Sequence, residues 1–206
     1  MIPSCISPEP LKYYLNNTCN ARTLIECCVE NGVRNFVFSS TAAVYGVPEE
    51  SLCRENTPTL PINPYGSSKL MAEQMLRDAC AASDMRHIIL RYFNVAGCDP
   101  DGEIGQSTEG ATLLIKVACE AATGKRDGVH VFGTDYDTPD GTGIRDYIHV
   151  QDLAAAHSGA MKYLNGGGES ATLNCGYGHG YSVREVLDTV QQGAGQKLNI
   201  VETDRR

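Results

Sequence analysis

The sequence predicts an α/β fold built on a doubly wound parallel sheet. Helix-like and strand-like segments alternate along its 206 residues, an order typical of strands linked by crossover helices. The strand-like segments are short and mostly apolar, as strands are when both faces of a sheet are covered. No internal repeat or low-complexity stretch interrupts this alternation.

The first elements are a helix and a strand, followed by a long loop. Apolar residues such as Leu11 and Ile25 recur at helical spacing over residues 8–31, and Gly32 fits the stop of that helix. Residues 34–39 are predicted to form a buried strand. The loop at 40–63 is long for a compact domain, and such loops are usually functional.

The later elements continue the alternation. Asn63 is a suitable N-cap and Pro64 a suitable first residue for a helix that runs to about Ser83. Ser182 and Glu185 have the spacing of a capping box at the start of the last helix. The other predicted elements are a strand at 87–92, a Gly/Asp/Pro-rich loop at 94–107, a helix at 109–123, a strand at 129–132, a second such loop at 133–144, an extended segment at 145–149, a helix at 151–164, and strands at 171–175 and 197–201.

Composition and charge exclude several classes of protein. Hydrophobic residues make up 42% and charged residues 20% of the chain, which is typical of a globular domain and not of a disordered or coiled-coil protein. A formal net charge of −8 excludes the basic surface of a nucleic-acid-binding protein and favours no membrane contact. No apolar run approaches the ~20 residues of a membrane span, and we find no signal peptide.

The nine cysteines show neither zinc-site spacing nor a C-x-x-C pair. Their number is odd and several lie on predicted helix faces, which indicates small apolar side chains rather than disulfides. We therefore expect reduced thiols, a cytoplasmic location and no metal site.

Tyr65 and Lys69 are the strongest candidate catalytic pair. They lie four residues apart at a predicted helix start and therefore share one face. Lowering the pKa of a tyrosine from about 10 to the 7 that suits a general base takes about 4 kcal/mol. An ammonium ~6 Å away supplies roughly 3 kcal/mol at an effective dielectric of ~20, so Lys69 is predicted to lower the pKa of Tyr65. Alone, the pair also fits a solvated helix start.

Ser39, Ser40 and Thr41 are a second group of candidates. They follow the first predicted strand, and ligands of open α/β sheets bind beyond the carboxyl ends of strands. Hydroxyl groups there could hold a substrate hydroxyl for a nearby base. The same residues also suit an ordinary turn at the end of a strand.

Together these segments resemble the extended short-chain dehydrogenase/reductase superfamily. The shared motifs are Ser39-Ser40-Thr41 after a strand, Asn63-Pro64-Tyr65-Gly66 through Lys69 at a helix start, Asn16-Asn17-Thr18 on the first helix, and Arg91-Tyr92-Phe93-Asn94 after the next strand. The most specific segments are Phe132–Tyr136 and Asp140–Val150. These segments resemble the UDP-glucose (UDP-galactose) 4-epimerase family, and the resemblance extends over about residues 9–206 of the chain.

The two residues after Thr41 favour this family over related enzymes. Sugar-nucleotide dehydratases and decarboxylases carry acidic residues where this sequence has Ala42 and Ala43. Loss of water needs an acid and a base, and alanine supplies neither. The resemblance therefore implies reversible inversion at C4 of a UDP-glucose/UDP-galactose-type substrate, through a 4-keto intermediate, with tightly bound NAD.

The resemblance also implies roles for single residues. Tyr65 would be the base at the sugar 4-hydroxyl, with Lys69 beside it. Thr41 and Ser40 would bind that hydroxyl. The implied NAD contacts are Asn16, Ser39, Tyr65, Lys69 and Tyr92, and the implied substrate contacts are Thr41, Asn94, Phe132 and Arg145. The guanidinium of Arg145 suits a diphosphate, although an ion pair with Asp146 is the alternative.

Other positions are expected to be structural or to depart from the family. Leu113 stands where these epimerases carry an Asn or His near the uracil. His149 and His157 are expected to be structural. Gly176–Gly180 looks like a dinucleotide fingerprint, but the position of its third glycine is Tyr181, so we expect no phosphate site there.

The resemblance implies a fragment that lacks the N-terminal glycine-rich motif and the C-terminal part. The expected fold is an NAD-binding Rossmann-type sheet with its first strands missing and a partial substrate lobe. Residues 1–93 are assigned to the Rossmann portion, and residues 94–206 to interleaved Rossmann and substrate-binding segments. The isolated chain is expected to be poorly stable and inactive.

Alternative functions remain open at this point. The chain could be an inactive fragment of such an enzyme, or another nucleotide-sugar epimerase or reductase of the same superfamily. A homodimer is a candidate assembly. The sequence does not distinguish hexose, N-acetylhexosamine and pentose substrates.

Overall fold

The computed structural model describes residues 9–50 and 52–205. The predicted helix start at residue 8, the thiol of Cys5 and most of the segment searched for a signal peptide lie outside the described residues. The helices are α1 (Pro10–Tyr13), α2 (Asn20–Glu30), α3 (Pro64–Ala81), α4 (Leu114–Ala122), α5 (Val150–Asn165) and α6 (Val183–Ala194). The strands are β1 (Asn35–Thr41), β2 (Arg86–Tyr92), β3 (Asn94–Ala96), β4 (Val129–Phe132), β5 (Ile144–His149), β6 (Ala171–Cys175), β7 (Gly180–Ser182) and β8 (Ile200–Thr203).

The described chain divides into two compact units. The first unit comprises the residues up to Phe93 together with Asp152–Gly176, and the second comprises Asn94–Gln151 and the residues from Tyr177 onwards. Each unit contains parallel strands with helices packed on them, so the predicted α/β class is confirmed.

The first unit is a parallel sheet in the order β1-β2-β6. Its central strand, β2, buries Ile88, Ile89 and Leu90, as expected for a strand covered on both faces. Helix α3 packs against β1 and β2, and its Leu76 joins Ile89 and Ile25 of α2 in one apolar cluster. This packing holds α3 beside the carboxyl end of β1.

The second unit contains two small sheets. Strands β4 and β8 pair in parallel, whereas β5 pairs in parallel with β3 and antiparallel with β7. Ala118 of α4 and Leu187 of α6 are buried against Val129 and Val131 of β4. Helices α4 and α6 therefore cover the β4–β8 pair.

The structure differs from the predicted elements in several places. Helix α4 begins at Leu114 rather than at residue 109, because Gly110 has a φ of +65° and interrupts any earlier helix. Strands β3 and β7 were not predicted, since three residues are too few to show a period. A π-helical segment, Tyr14–Cys19, also joins α1 to α2 where the sequence predicts a regular helix.

The predicted apolar face of the first helix is largely exposed. Leu11, Leu15 and Leu24 are 77%, 57% and 54% exposed, whereas Ile25 is 5% exposed. Ile25 faces the cluster on α3. A helix packed on one neighbour buries only a narrow stripe of its surface, which explains the difference.

Within the described ranges, no helix has both the length and the apolar character that a membrane crossing requires.

Candidate active site

The candidate catalytic pair lies at the start of α3. The side chain of Asn63 accepts a hydrogen bond from the backbone N–H of Gly66 at 2.8 Å, and Pro64 occupies the first turn. The predicted cap is therefore present. It places Tyr65 and Lys69 one turn apart on the same face, and both are half-buried.

Thr41 is the last residue of β1, and its side chain contacts the phenol of Tyr65. Thr41 Oγ1 also accepts a hydrogen bond from the backbone N–H of Ala43 at 3.1 Å. This second bond fixes the hydroxyl in the turn that follows β1. The structure thus brings the hydroxyl groups of Thr41 and Tyr65 together, and both can contact one substrate hydroxyl.

The pKa of Tyr65 differs from the sequence-based expectation. Burial raises the pKa of the phenol above its ordinary value, the hydrogen bond from Thr41 lowers it, and the neighbouring Tyr92 and Tyr13 raise it. Burial prevails, so the phenol is protonated at neutral pH. The prediction that Lys69 lowers this pKa is wrong in this structure.

Lys69 makes its contact elsewhere on β1. Its ammonium donates a hydrogen bond to the backbone oxygen of Ser39 at 3.0 Å, and it lies 5.2 Å from the ring centre of Phe38. Burial lowers the pKa of Lys69 below its ordinary value. An ammonium has three N–H donors, and the bond to Ser39 uses one of them.

Ser40 directly precedes Thr41 in β1. Its side chain is 1% exposed, and its hydroxyl donates a hydrogen bond to Glu73 Oε1 at 2.5 Å. Glu73 was not among the predicted site residues. The signal was nonetheless present, because Glu73 lies four residues after Lys69, between the apolar Ala72 and Leu76.

The π-helical segment contacts the start of α3. Asn17 Nδ2 donates a hydrogen bond to Ser68 Oγ at 3.0 Å, and Ser68 Oγ donates one to the backbone oxygen of Tyr65 at 2.8 Å. Asn16, the residue predicted to touch NAD, is exposed on this segment. The ring of Tyr13 meets that of Tyr65 edge-on at 5.8 Å, a contact that sequence reasoning missed.

His157 connects two predicted cofactor residues. Ser39 Oγ lies 2.8 Å from His157 Nε2, and the ring of Tyr92 lies 6.5 Å from that of His157. His157 Nδ1 lies 2.8 Å from the backbone oxygen of Leu153, which can only accept, so Nδ1 carries a proton. Nε2 can then accept a hydrogen bond from Ser39, a contact that fits the structural role expected of His157.

The predicted substrate residues Asn94, Phe132 and Arg145 belong to the second unit. Asn94 Nδ2 donates a hydrogen bond to the backbone oxygen of Asp146 at 3.0 Å. Arg145 Nη1 donates one to the backbone oxygen of Ile144 at 2.6 Å. The ring of Phe132 stacks on that of His130, with 6.1 Å between ring centres.

The alternative role of Arg145, an ion pair with Asp146, does not occur among the described contacts. The Asp146 carboxylate instead accepts hydrogen bonds from the backbone N–H groups of Tyr177 at 3.1 Å and Gly178 at 2.8 Å. The glycine-rich turn that resembles a dinucleotide fingerprint is therefore held by a carboxylate, which would repel a phosphate.

Two further observations concern possible ligands. Leu113, expected near the uracil, is 50% exposed and directly precedes α4. Across residues 9–50 and 52–205, no cluster of three or more His, Cys, Asp or Glu side chains is placed to hold a metal ion.

Comparison with known proteins places these residues in a family context. The model of the NAD dependent epimerase/dehydratase family matches residues 7–176. A UDP-glucose 4-epimerase from Azospirillum brasilense is 58% identical over 207 residues, covering 98% of this chain. The chain spans 60% of the length of that relative.

Solved structures agree with the sequence comparison. UDP-glucose 4-epimerase from Brucella ovis in complex with NAD has a TM-score of 0.94 and 41% identity, covering 100% of this chain and 65% of that one. The enzyme from Bifidobacterium longum in complex with NAD+ and UDP has a TM-score of 0.88 and 41% identity, covering 96% of this chain and 60% of that one. The backbone arrangement described above is therefore that of these enzymes.

Proposed function

The chain belongs to the NAD dependent epimerase/dehydratase family, and we propose that its protein interconverts UDP-glucose and UDP-galactose by inversion at C4. The observation that carries this proposal is the contact between the side chains of Thr41 and Tyr65, with Lys69 one turn along the same helix. The relatives named above support the choice of reaction.

The residues beside Tyr65 fit NAD. The bond of Lys69 to Ser39 leaves its ammonium with further donors for ribose hydroxyls, and the amide of Asn16 is exposed on the same unit. Bound NAD would supply the hydride acceptor and a positive charge beside the phenol. We propose contacts to it from Asn16, Ser39, Tyr65, Lys69 and Tyr92.

Tyr65 and Thr41 are proposed to act on the same sugar hydroxyl. Thr41 would hold the sugar 4-hydroxyl, and Tyr65 would take its proton as the hydride leaves C4. Proton return from Tyr65 completes the reverse step. Burial favours the neutral phenol, so Tyr65 is well suited to returning the proton, and a nearby cation would favour taking it.

Ala42 and Ala43 favour epimerisation over dehydration. They occupy the short helical turn directly after Thr41, where an acid and a base for loss of water would have to lie. Methyl groups at both positions leave a 4-keto sugar without a group to remove its C5 proton.

Nucleotide binding is proposed for Asn94, Phe132 and Arg145. The guanidinium fork of Arg145 can bind two diphosphate oxygens, and the ring of Phe132 can stack on a base. Leu113 offers only an apolar contact at the position where a polar group would meet the uracil.

We further propose a cytoplasmic homodimer. The cysteines in the described part of the chain are free thiols, which suits a reducing compartment. Exposed apolar side chains on one helical stretch, Leu15, Leu24 and Val29, suit a contact with a second copy. Sedimentation over a range of concentrations tests the dimer, and a monomer at every concentration contradicts it.

The decisive experiment is a chimera, because the chain spans 60% of its Azospirillum brasilense relative. This chain replaces the matching segment of that enzyme, and interconversion of UDP-glucose and UDP-galactose is measured. We expect epimerase activity, and we expect Tyr65→Phe to abolish most of it while NAD stays bound. A folded, NAD-loaded chimera without activity contradicts the proposal, and net consumption of NADH would indicate a reductase.

A further inference from the structure

We propose that Glu73 and Arg91 are positioning residues that hold the turn carrying Thr41 in register with Tyr65. The inference rests on the proposed function, since it concerns the same reaction. Neither residue is placed to touch substrate or cofactor. They act through Ser40 and Tyr45, which flank the turn on its two sides.

Glu73 is the centre of a buried network. Its side chain is fully buried, yet its two carboxylate oxygens accept four hydrogen bonds. Oε1 accepts from Ser40 Oγ at 2.5 Å and from Arg91 Nε at 3.0 Å. Oε2 accepts from Arg91 Nη2 at 2.6 Å and from Arg77 Nη2 at 2.7 Å.

Arg91 holds the other side of the turn. Its Nη1 donates a hydrogen bond to the hydroxyl of Tyr45 at 3.0 Å, and the guanidinium lies 4.9 Å from the centre of the Tyr45 ring. The Tyr45 hydroxyl in turn donates to Asn174 Oδ1 on β6 at 2.7 Å. Ser40 directly precedes Thr41, and Tyr45 ends the short helix that follows it. The ion pair therefore fixes both ends of the segment that contains Thr41.

The register of the strands and the spacing of residues on α3 join these hydrogen bonds into one connected network. Ser40 and Arg91 are partners in the parallel register of β1 and β2, so one carboxylate can bind both. Tyr65, Lys69 and Glu73 lie at intervals of four on α3 and share one face. That face contacts the last three residues of β1: Lys69 binds Ser39, Glu73 binds Ser40, and Tyr65 binds Thr41.

Stability alone does not account for the network. Removing two charges from water is costly, and well-packed apolar side chains can replace a buried ion pair without loss of stability. What apolar residues cannot supply is a directed bond to the hydroxyl of Ser40. The bond defines the angle at which β1 ends, and hence where Thr41 Oγ1 lies.

The first test separates positioning from direct contact with the sugar. In the chimera, Ser40→Ala removes the hydroxyl and leaves the ion pair intact. We expect kcat to fall by up to about 100-fold, with little change in KM for the nucleotide sugar, because a misplaced hydroxyl weakens only the transition state. Ser40→Thr, which keeps the hydroxyl, should restore much of the loss. A rise in KM as large as the fall in kcat would overturn the proposal.

A double variant sharpens the result. If Ser40 acts through Glu73, then Ser40→Ala combined with Glu73→Gln should lose no more kcat than the worse single variant. Additive losses would mean that Ser40 acts independently. Should Glu73→Gln fail to fold, the Ser40 pair of variants decides the matter alone.

Leu76→Ala is the matched control for general destabilisation. Leu76 is fully buried on the same helix but packs in the apolar cluster with Ile25 and Ile89 and is not a member of the hydrogen-bonded network. Its truncation should lower the unfolding midpoint and leave kcat unchanged. A loss of kcat as large as that of Ser40→Ala would show that the network matters only for stability, and would overturn the proposal.

A titration without substrate keeps this test separate from the proposed function. The hydrogen bond from Thr41 lowers the pKa of Tyr65, so Thr41→Ala should raise that pKa. Ser40→Ala should also raise the pKa of Tyr65, but by less than Thr41→Ala does. Tyrosinate absorbance of each variant, minus that of the same variant carrying Tyr65→Phe, gives the pKa of Tyr65. An unchanged pKa in Ser40→Ala would overturn positioning even if the chimera proved inactive.

Discussion

The ammonium of Lys69 donates a hydrogen bond to the backbone oxygen of Ser39, two residues before Thr41. Lys69 thus ties the helix that carries Tyr65 to the strand that carries Thr41. It therefore acts on the geometry of the pair, and its remaining donors are proposed to bind the cofactor. The two roles have separate consequences when the side chain is replaced.

Lys69→Met should lower both NAD affinity and kcat in the chimera. Methionine retains the length of the side chain but can neither bind ribose hydroxyls nor hold Ser39. NAD affinity measured by calorimetry, together with kcat, checks this expectation. Lys162→Met is the control, because Lys162 is an exposed residue of α5, and it should change neither quantity. Unchanged NAD affinity in Lys69→Met would mean that Lys69 does not bind the cofactor.

Gly66→Ala should destabilise the protein although alanine favours helices. A Cβ at Gly66 would lie 2.5 Å from the backbone oxygen of Ala43, so the start of α3 must move away from the turn after Thr41. Overpacking of this kind costs about 1–3 kcal/mol. The free energy of unfolding from denaturant titration gives the measurement.

Gly159→Ala is the matched control for that substitution. Gly159 lies within α5, and nothing approaches within 4 Å of a Cβ placed there. Alanine should therefore stabilise the protein by about 0.5–1 kcal/mol. If both variants shifted stability in the same direction, the contact between Gly66 and Ala43 would not be the cause.

The helices and strands beside the candidate site could largely be predicted from local sequence, whereas the hydrogen bonds between distant residues could not. The cap at Asn63 and the apolar run of β2 act over a few residues, so α3 and β2 were found within one or two residues of their bounds. The bonds of Glu73 to Ser40 and Arg91 join residues 33 and 18 positions apart. Only the tertiary fold brings them together, and no local period shows such a pairing.

The same distinction explains the error about the pKa of Tyr65. Spacing on a helix correctly placed Lys69 near Tyr65. It could not show that β1 offers Lys69 a carbonyl oxygen, or that Thr41 and two other tyrosines surround the phenol. The balance between burial and charge depends on those neighbours.

Stability should fall in acid, and Glu73 should be one cause. Burial by itself raises the pKa of Glu73, but hydrogen bonds from Arg91, Ser40 and Arg77 lower it below its ordinary 4.5. A carboxylate whose pKa is lower in the folded state stabilises the fold above its unfolded-state pKa, and that contribution disappears as the pH falls through the folded-state pKa. Denaturant midpoints should therefore decrease below about pH 4.5, the ordinary value.

Glu73→Gln tests this assignment because it cannot titrate. The variant should be less stable at neutral pH, and its stability should depend less on pH in the acid range than that of the unsubstituted chain. Glu26→Gln, which alters an exposed ion pair with Arg22, is the control and should change the free energy of unfolding only slightly. Equal acid slopes in the Glu73→Gln variant and the unsubstituted chain would exclude Glu73 as a source.

Arg145→Ala should raise KM for the nucleotide sugar and leave kcat nearly unchanged. The proposed contacts to the diphosphate would be made equally in the ground state and the transition state, so their loss should weaken binding without slowing the chemical step. Arg184→Ala is the control in the same unit, since Arg184 pairs with Glu202 at the surface. A fall in kcat without a change in KM would place Arg145 at the reacting sugar instead.

Deuterated water distinguishes the proposed reaction from its nearest alternative. If the hydride that leaves C4 returns to the opposite face of the same carbon, no solvent hydrogen enters there, and NAD is not consumed. For this to occur, the keto sugar must rotate while the nucleotide stays bound. Asn94, Phe132 and Arg145 are proposed to bind the nucleotide during that rotation. Ala42 and Ala43 offer no group to exchange the C5 proton. We therefore expect the chimera to yield product with protium at both C4 and C5, as measured by NMR. Deuterium at C4 would exclude direct hydride return, and deuterium at C5 would indicate the chemistry of a dehydratase.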